Sequence, residues 1–135
     1  MIIGRTQSAD GGFRRIPIRH TQIVDKETRE KLLVYLKEAV YQKCQTMDWV
    51  GSSDLFPNIP NDIRDTPLKI ILDICLEKFK DSPRTIKINV SKYVGMLVRE
   101  AVYYSEVKYY EQMIGSVRKY SLESKNLSEI NNINQ

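Results

Sequence analysis

The longest apolar pattern in the sequence constrains the fold more than any other feature. Over residues 83–114, apolar side chains recur at spacings of three and four, which is the period of one helical face. We therefore predict a single helix over 83–114, about 32 residues and ~48 Å long, which ends at Gly115 in a left-handed conformation. The alternation of Ile86, Ile88 and Val90 would also suit a strand, but the unbroken stripe favours the helix.

The predicted helix also carries apolar residues on the side opposite its main stripe. These residues are Met96, Tyr103, Val107, Tyr110 and Ile114. Two shorter helices of the same chain cannot cover a helix that is apolar over more than half of its circumference. Gly95, near the middle, either has no structural role or lets another backbone cross closely. The pattern therefore predicts a companion chain that buries the apolar side left exposed.

Two amphipathic segments precede the predicted long helix. An apolar stripe after a capping Asp25 predicts an N-terminal helix over 25–50, and Thr66-Pro67 begins a second helix that ends near residue 80. Between them, residues 51–65 contain two prolines but also several large apolar side chains. We expect this segment to be an ordered connector packed across the helices. The polar residues 131–135 are expected to form a frayed tail.

Composition narrows the functional classes. The chain has 135 residues, enough for one domain, a net charge of +4, and no apolar run long enough to cross a membrane. Cys44 and Cys75 lack metal-ligand spacing and His20 is the only histidine, which argues against a zinc or histidine-based centre. The sequence also lacks a Gly-rich phosphate loop and a nucleophile elbow. We therefore expect no catalytic residue, no metal and no cofactor.

Residues 1–24 are predicted to form an extended basic arm. Arg5, Arg14, Arg15 and Arg19 stand in this segment against a single acid, Asp10. Such arginines can neutralise phosphates, so they are the predicted nucleic-acid contacts. Contact with an acidic protein surface, or no contact at all, explains the composition equally well.

Tyrosines are concentrated toward the end of the predicted long helix. Tyr103, Tyr104, Tyr109 and Tyr110 suit a protein interface or the stacking of bases, and the interface is the preferred interpretation. The protein interface is preferred because tyrosines that stack on bases are expected to lie on a basic surface. Basic and acidic residues alternate along this segment, which predicts a mixed field: Lys92, Arg99 and Lys108 with Glu100, Glu106 and Glu111.

Several short segments resemble histone-fold proteins, in particular the TBP-associated factors of TFIID and SAGA. Ser82-Pro83-Arg84 is similar to the Asp/Glu-Pro-Arg that opens the long helix of these factors. The helix that follows Phe79-Lys80-Asp81 is also similar to that of a CENP-X-like histone fold. The other similar segments are the centre and end of the long helix (92–94, 99–105), the final loop and helix (118–122, 126–130) and a proline-rich stretch (56–63).

The resemblance implies an all-α, histone-fold-like domain over 66–130. It would contain a medium helix, a long central helix and a short C-terminal helix, preceded by the extra N-terminal helix and the arm. Histone-fold chains cross their long helices antiparallel with a second histone-fold-like chain and are usually not stable alone. The implied partner interface consists of Leu72, Leu76, Ile86, Val90, Tyr93, Val94, Leu97, Val98, Ala101 and Tyr104.

The predicted function is therefore that of a non-catalytic subunit. The chain would heterodimerise within a TFIID- or SAGA-like nuclear transcription complex, with weak nucleic-acid contact and no membrane association. The first alternative is a small viral or plasmid-borne α-helical adaptor or nucleic-acid-binding protein that homo-oligomerises. A further alternative is a histone-fold subunit of a centromere or DNA-repair complex.

Overall fold

The computed structural model describes residues 4–5, 22–80 and 82–125, with backbone alone for residues 4 and 5. In chain order the described elements are β1 (Gly4–Arg5), α1 (Lys26–Cys44), α2 (Ser52–Leu55), a 3-10 turn (Asn61–Ile63), α3 (Lys69–Lys78), α4 (Pro83–Tyr103), β2 (Tyr109–Ile114) and β3 (Val117–Leu122). The predicted C-terminal helix at 126–130 and the predicted tail at 131–135 lie outside the described residues.

The prediction of an all-α fold is wrong. The chain is mostly helical, but it also forms a three-stranded antiparallel sheet in the order β1-β2-β3. The β2–β3 pairing runs in register from Tyr109 opposite Leu122 to Ile114 opposite Val117. Residues 118–122, which were compared with the final loop of a histone fold, form strand β3 instead.

The long helix ends eleven residues before its predicted end, at Tyr103 instead of residue 114. Beyond it, the Ser105 hydroxyl accepts a hydrogen bond from the backbone N–H of Val107 at 3.1 Å, a local side-chain bond that competes with helix continuation. The residues that follow are rich in aromatic and β-branched types, which favour a strand. Tyr109 is 1% exposed in the resulting sheet.

Gly115 reverses the chain between β2 and β3 and does not terminate a helix. It has a φ of +64°, and no other described residue has a positive φ. Ile114 pairs with Val117, so the hairpin loop consists of Gly115 and Ser116. A glycine at the first of two loop positions is the arrangement of a type II′ turn, whose twist matches that of the flanking strands.

The helix starts follow local capping chemistry. The Asp25 carboxylate accepts a hydrogen bond from the Thr28 N–H at 2.7 Å, and this bond lowers the pKa of Asp25. Ser82 caps α4 by accepting from the Thr85 N–H at 3.2 Å, with Pro83 in the first turn. The cap predicted at Asp25 is confirmed, and α4 begins at Ser82-Pro83. The start predicted at Thr66-Pro67 is wrong, because α3 begins at Lys69 and its N-cap residue, Leu68, provides no side-chain cap. Residues 86–90 are helical, so the strand alternative for them is wrong.

The core lies between α4 and the elements packed against it, mainly α1 and α3. The connector contributes to this core: Phe56, Ile59 and Ile63 are buried, as expected of an ordered segment. The main apolar stripe of α4 faces the same interior. The helix is therefore covered by its own chain along the stripe that the sequence assigned to a partner.

A pair of short backbone hydrogen bonds joins the β2–β3 hairpin to the helical part of the fold. Val50 and Tyr120 exchange two backbone hydrogen bonds, each 2.8 Å long. Gly51 is the next residue after Val50. A Cβ atom on residue 51 would lie 3.1 Å from the Arg118 carbonyl oxygen. The Asp54 carboxylate accepts from the Gly51 N–H at 2.8 Å and pairs with Lys119 at 3.2 Å. The segment can therefore approach β3 closely only because residue 51 has no side chain.

We predict that Gly51→Ala destabilises the fold by about 1–3 kcal/mol, the usual range for overpacking. The new methyl group would press against the backbone of β3, and the shift that relieves this contact would strain the Val50–Tyr120 hydrogen bonds. Urea denaturation followed by circular dichroism measures the change in the free energy of unfolding.

Gly95→Ala is the matched control for this substitution. Outside α4 itself, the one described heavy atom within 4 Å of its new Cβ would be the Ser52 hydroxyl oxygen at 3.8 Å, which is ordinary contact. Alanine in mid-helix should raise stability by up to about 1 kcal/mol. Equal stability of Gly51→Ala and the unsubstituted chain would contradict the close packing of residue 51 against β3.

Burial of ionisable groups makes the fold sensitive to alkali. Desolvation raises the pKa of the fully buried Cys44 thiol from 9.0 to about 12. Desolvation likewise raises the pKa of Tyr109 and Tyr120 above the ordinary value of 10.0. These groups hold their protons in the folded chain at a pH where the unfolded chain has lost them, so stability falls as pH rises.

We predict that the free energy of unfolding is insensitive to these groups below about pH 9 and declines above it. Tyr120→Phe should make the decline above pH 10 shallower by up to about 1.4 kcal/mol per pH unit, because one ionisation is removed. Tyr41→Phe is the control, since that ring is 38% exposed and reached by solvent in the folded chain. If the free energy of unfolding declined equally steeply in the Tyr120→Phe chain, the ionisation of Tyr120 would not contribute to the alkaline loss of stability.

Candidate functional site

The predicted partner interface is mostly the core of the chain itself. Leu76 and Tyr104 are exposed at 44% and 43%, and Tyr93 is half-buried against the core. The other seven side chains are at most 8% exposed: Leu72, Ile86, Val90, Val94, Leu97, Val98 and Ala101. A partner could reach these seven only if the chain opened. The interface was inferred from a helix thought to be too apolar for one chain, and that helix is shorter than predicted.

The predicted nucleic-acid contacts of the arm lie almost wholly outside the described residues. Arg14, Arg15 and Arg19 belong to this undescribed part of the chain. Arg5 is described by its backbone alone, which pairs with Tyr110 at the edge of β2. The candidate site is therefore built from residues of the helices and the hairpin.

The solvent face of α4 is lined with cations. Arg84, Lys87 and Lys92 are exposed and Arg99 is half-buried; Arg84, Lys92 and Arg99 lie away from the apolar stripe, and Lys87 lies at its exposed N-terminal end. Between these cations run Ile88, which is 56% exposed, and the small residues Ser91 and Gly95. We call the residues Arg84, Lys87, Lys92 and Arg99 the basic face of α4.

Within the described helix α4, no acid lies on the basic face. Glu100 is the only acidic residue of α4, and it is 0% exposed and engaged in a polar interaction inside the fold. Glu106 lies in the loop after the helix, and Glu111 lies on β2, where it pairs with Arg118. The prediction of a mixed field along one helix is therefore wrong, because the shorter helix excludes two of the three acids and the core holds the third.

The four cations of the basic face also have no ion-pair partner among the described residues. Other cations of the described chain do have one: Lys31 pairs with Glu27 at 3.5 Å, and Lys125 pairs with Asp48 at 3.0 Å. An unpaired cation keeps its full field toward solvent, whereas a paired one does not. The basic face is thus available to an anionic ligand without first breaking internal contacts.

A surface cavity of about 220 Å³ opens where the basic face meets the hairpin. Arg99 of α4 and Arg118 of β3 line it, and Ser52 at the start of α2 forms part of its wall. The remaining lining includes Gly95, Met96 and the buried ring of Tyr120. Two arginines from distant parts of the chain therefore line the same small opening.

A second cavity, of about 550 Å³, lies between α1 and the loop after α4. Its lining is mostly apolar, with Val34, Tyr41 and Val107 prominent. Lys37 and Glu38 supply one charge of each sign. This cavity therefore has no preference for a charged ligand.

The sequence could have indicated part of the basic face but not the cavity. A helical projection places Lys92 and Arg99 opposite the apolar stripe and Arg84 to one side of it, but it places Lys87 beside Val94 and Val98. The cavity depends on Ser52 and Arg118 meeting Arg99, and these residues are far apart in sequence. No local pattern indicates that meeting.

The described residues contain no cluster of His, Cys, Asp or Glu that could hold a metal ion. Within the same ranges, no helix has both the length and the apolar character needed to cross a bilayer. Comparison of the chain with protein-family models, curated proteins and solved structures gives no match.

Proposed function

We propose that this chain is a non-catalytic nucleic-acid-binding protein that holds the phosphate backbone of a duplex on the basic face of α4. The observation that carries the proposal is the segregation of charge on this helix. Its four cations face solvent without ion-pair partners among the described residues, and its single acid is buried. Such a one-signed surface attracts a polyanion at long range and positions it by phosphate contacts.

The shape of the face supports a duplex as the ligand. Arg84 and Arg99 are separated by 15 residues, or ~22 Å of helix axis at 1.5 Å per residue. Lys87 and Lys92 stand on opposite edges, with Ile88 and Ser91 between them. A major groove about 12 Å wide admits an α-helix, so the edge cations would meet phosphates on both sides.

The arm adds charge of the same sign. Residues 1–24 contain four arginines and one aspartate, so they supply +3 of the net charge of +4. A basic segment attached to a basic helix face would increase affinity by releasing further counterions. Direct contact by Arg5, Arg14, Arg15 and Arg19 stays a prediction.

The salt dependence of binding tests the proposal. If all four cations contact duplex phosphates, log K should fall with log salt with a slope contribution of about −3.6, since each phosphate contributes about −0.9. The Lys87→Gln/Lys92→Gln double variant should reduce the slope by about 1.8 units. Fluorescence anisotropy of a labelled 20-base-pair duplex across a salt series, from about 50 to 200 mM, measures both slopes.

Lys26→Gln/Lys31→Gln is the matched control, because it removes the same charge from the exposed surface of α1. This control should change the slope much less. Equal loss in the two double variants would mean that only net charge matters, and it would refute the assignment to α4. Tighter binding of a single strand than of the duplex would refute the choice of ligand.

The subunit hypotheses have less to support them. Heterodimerisation within a TFIID- or SAGA-like complex, a centromere or repair role, and a nuclear location all stay predictions. They were implied by a resemblance whose all-α architecture the sheet contradicts. Homo-oligomerisation of a small viral or plasmid-borne adaptor also stays a prediction, and the mass of the protein–duplex complex would test it.

A further inference from the structure

We propose that the cavity between α4, α2 and β3 is a phosphate subsite, in which one phosphate group is held between Arg99 and Arg118. This inference rests on the proposed function, because it assigns one phosphate of the bound duplex to a defined position on the basic face. The subsite differs from the rest of the basic face because it is concave and because its two arginines belong to different elements, α4 and β3.

The charges around the cavity favour a group with a single negative charge. Arg99 has no ion-pair partner among the described residues, whereas Arg118 is bound to Glu111. Two guanidinium groups and one carboxylate leave a net charge of +1, which one phosphodiester would neutralise. The guanidinium of Arg118 has five N–H donors in a planar fork, so its bond to Glu111 leaves donors for a second acceptor.

Gly95 and Ser52 keep the centre of the cavity open and polar. The Ser52 hydroxyl oxygen lies 3.8 Å from the place where a Cβ of Gly95 would be. A larger side chain at residue 95 would therefore occupy the space beside that hydroxyl. Ser52 makes no side-chain hydrogen bond with the described part of the chain, so its hydroxyl can donate to a phosphate oxygen.

The size and walls of the cavity agree with a small anion. About 220 Å³ is below the roughly 300–1,000 Å³ of pockets that hold drug-sized ligands. Met96 and Tyr120 form part of the wall, and Tyr120 is buried, so this side of the cavity is screened from bulk water. Hydrogen bonds from charged donors to an anion are stronger where water is partly excluded.

Inorganic phosphate is the probe that separates the subsite from the rest of the face. In a titration followed by ¹⁵N–¹H NMR, we expect saturable shifts of the Gly95 amide and the Arg99 side chain in the millimolar range. Arg99→Gln should weaken this binding by at least about tenfold, because it removes a charge-assisted hydrogen bond. Gly95→Met should abolish it by filling the cavity.

Two controls separate binding from folding. Gly95→Ala adds one methyl group at the same position, so it should weaken phosphate binding less than Gly95→Met does. Lys31→Gln removes an equal charge from α1 and should leave the phosphate shifts unchanged. The spectra of all variants report folding directly, so a variant that fails to bind while its spectrum stays dispersed has lost the site alone.

The outcomes distinguish the subsite from the proposed function. Phosphate shifts that are absent, or that persist unchanged in both Arg99→Gln and Gly95→Met, would overturn the subsite even if the duplex still binds. Phosphate binding without duplex binding would support the subsite, assign it to free phosphate, and refute the nucleic-acid function. If both bind, Arg99→Gln should lower the duplex salt slope by about 0.9 units.

Discussion

The two hydrogen bonds between Val50 and Tyr120 determine how the parts of this fold meet. They hold β3 against the segment that follows α1, and the Cys44 sulfur lies 3.9 Å from the same Tyr120 carbonyl oxygen. Tyr120 itself is 2% exposed, so the contact is formed in the core. Because the hairpin is anchored there, the chain after α4 gains more by pairing as strands than by continuing as a helix.

The same anchor places the candidate site. It sets Ser52 and Arg118 beside α4, so the cavity exists only when residues 50–54 are docked on β3. The basic face depends less on it, because Arg84 to Lys92 belong to a single helix whose position follows from its buried stripe. Loss of the anchor should therefore remove the phosphate subsite before it removes the attraction of α4 for a polyanion.

The sequence predicts the helices well because their signals are local. Asp25 and Ser82 cap their helices as their side chains indicate, and the apolar stripe of α4 faces the core. The hairpin is missed because Tyr103, Val107 and Tyr110 fit a helical period as well as a strand. Periodicity alone cannot separate these alternatives. The deciding contacts join residues 50 and 120, which no window of sequence brings together.

The error in one helix end changes the interpretation of charge as well as of shape. On a helix over 83–114, Glu106 would project beside Arg99 and weaken the field of the cations, whereas Glu111 would project beside the apolar stripe. With the helix ending at Tyr103, Glu106 moves into a loop and Glu111 pairs with Arg118 across the hairpin. Burial of Glu100 then leaves α4 with one sign of charge on its solvent face. The basic surface of α4 thus depends on the helix ending at Tyr103, although the net charge of the whole chain is only +4.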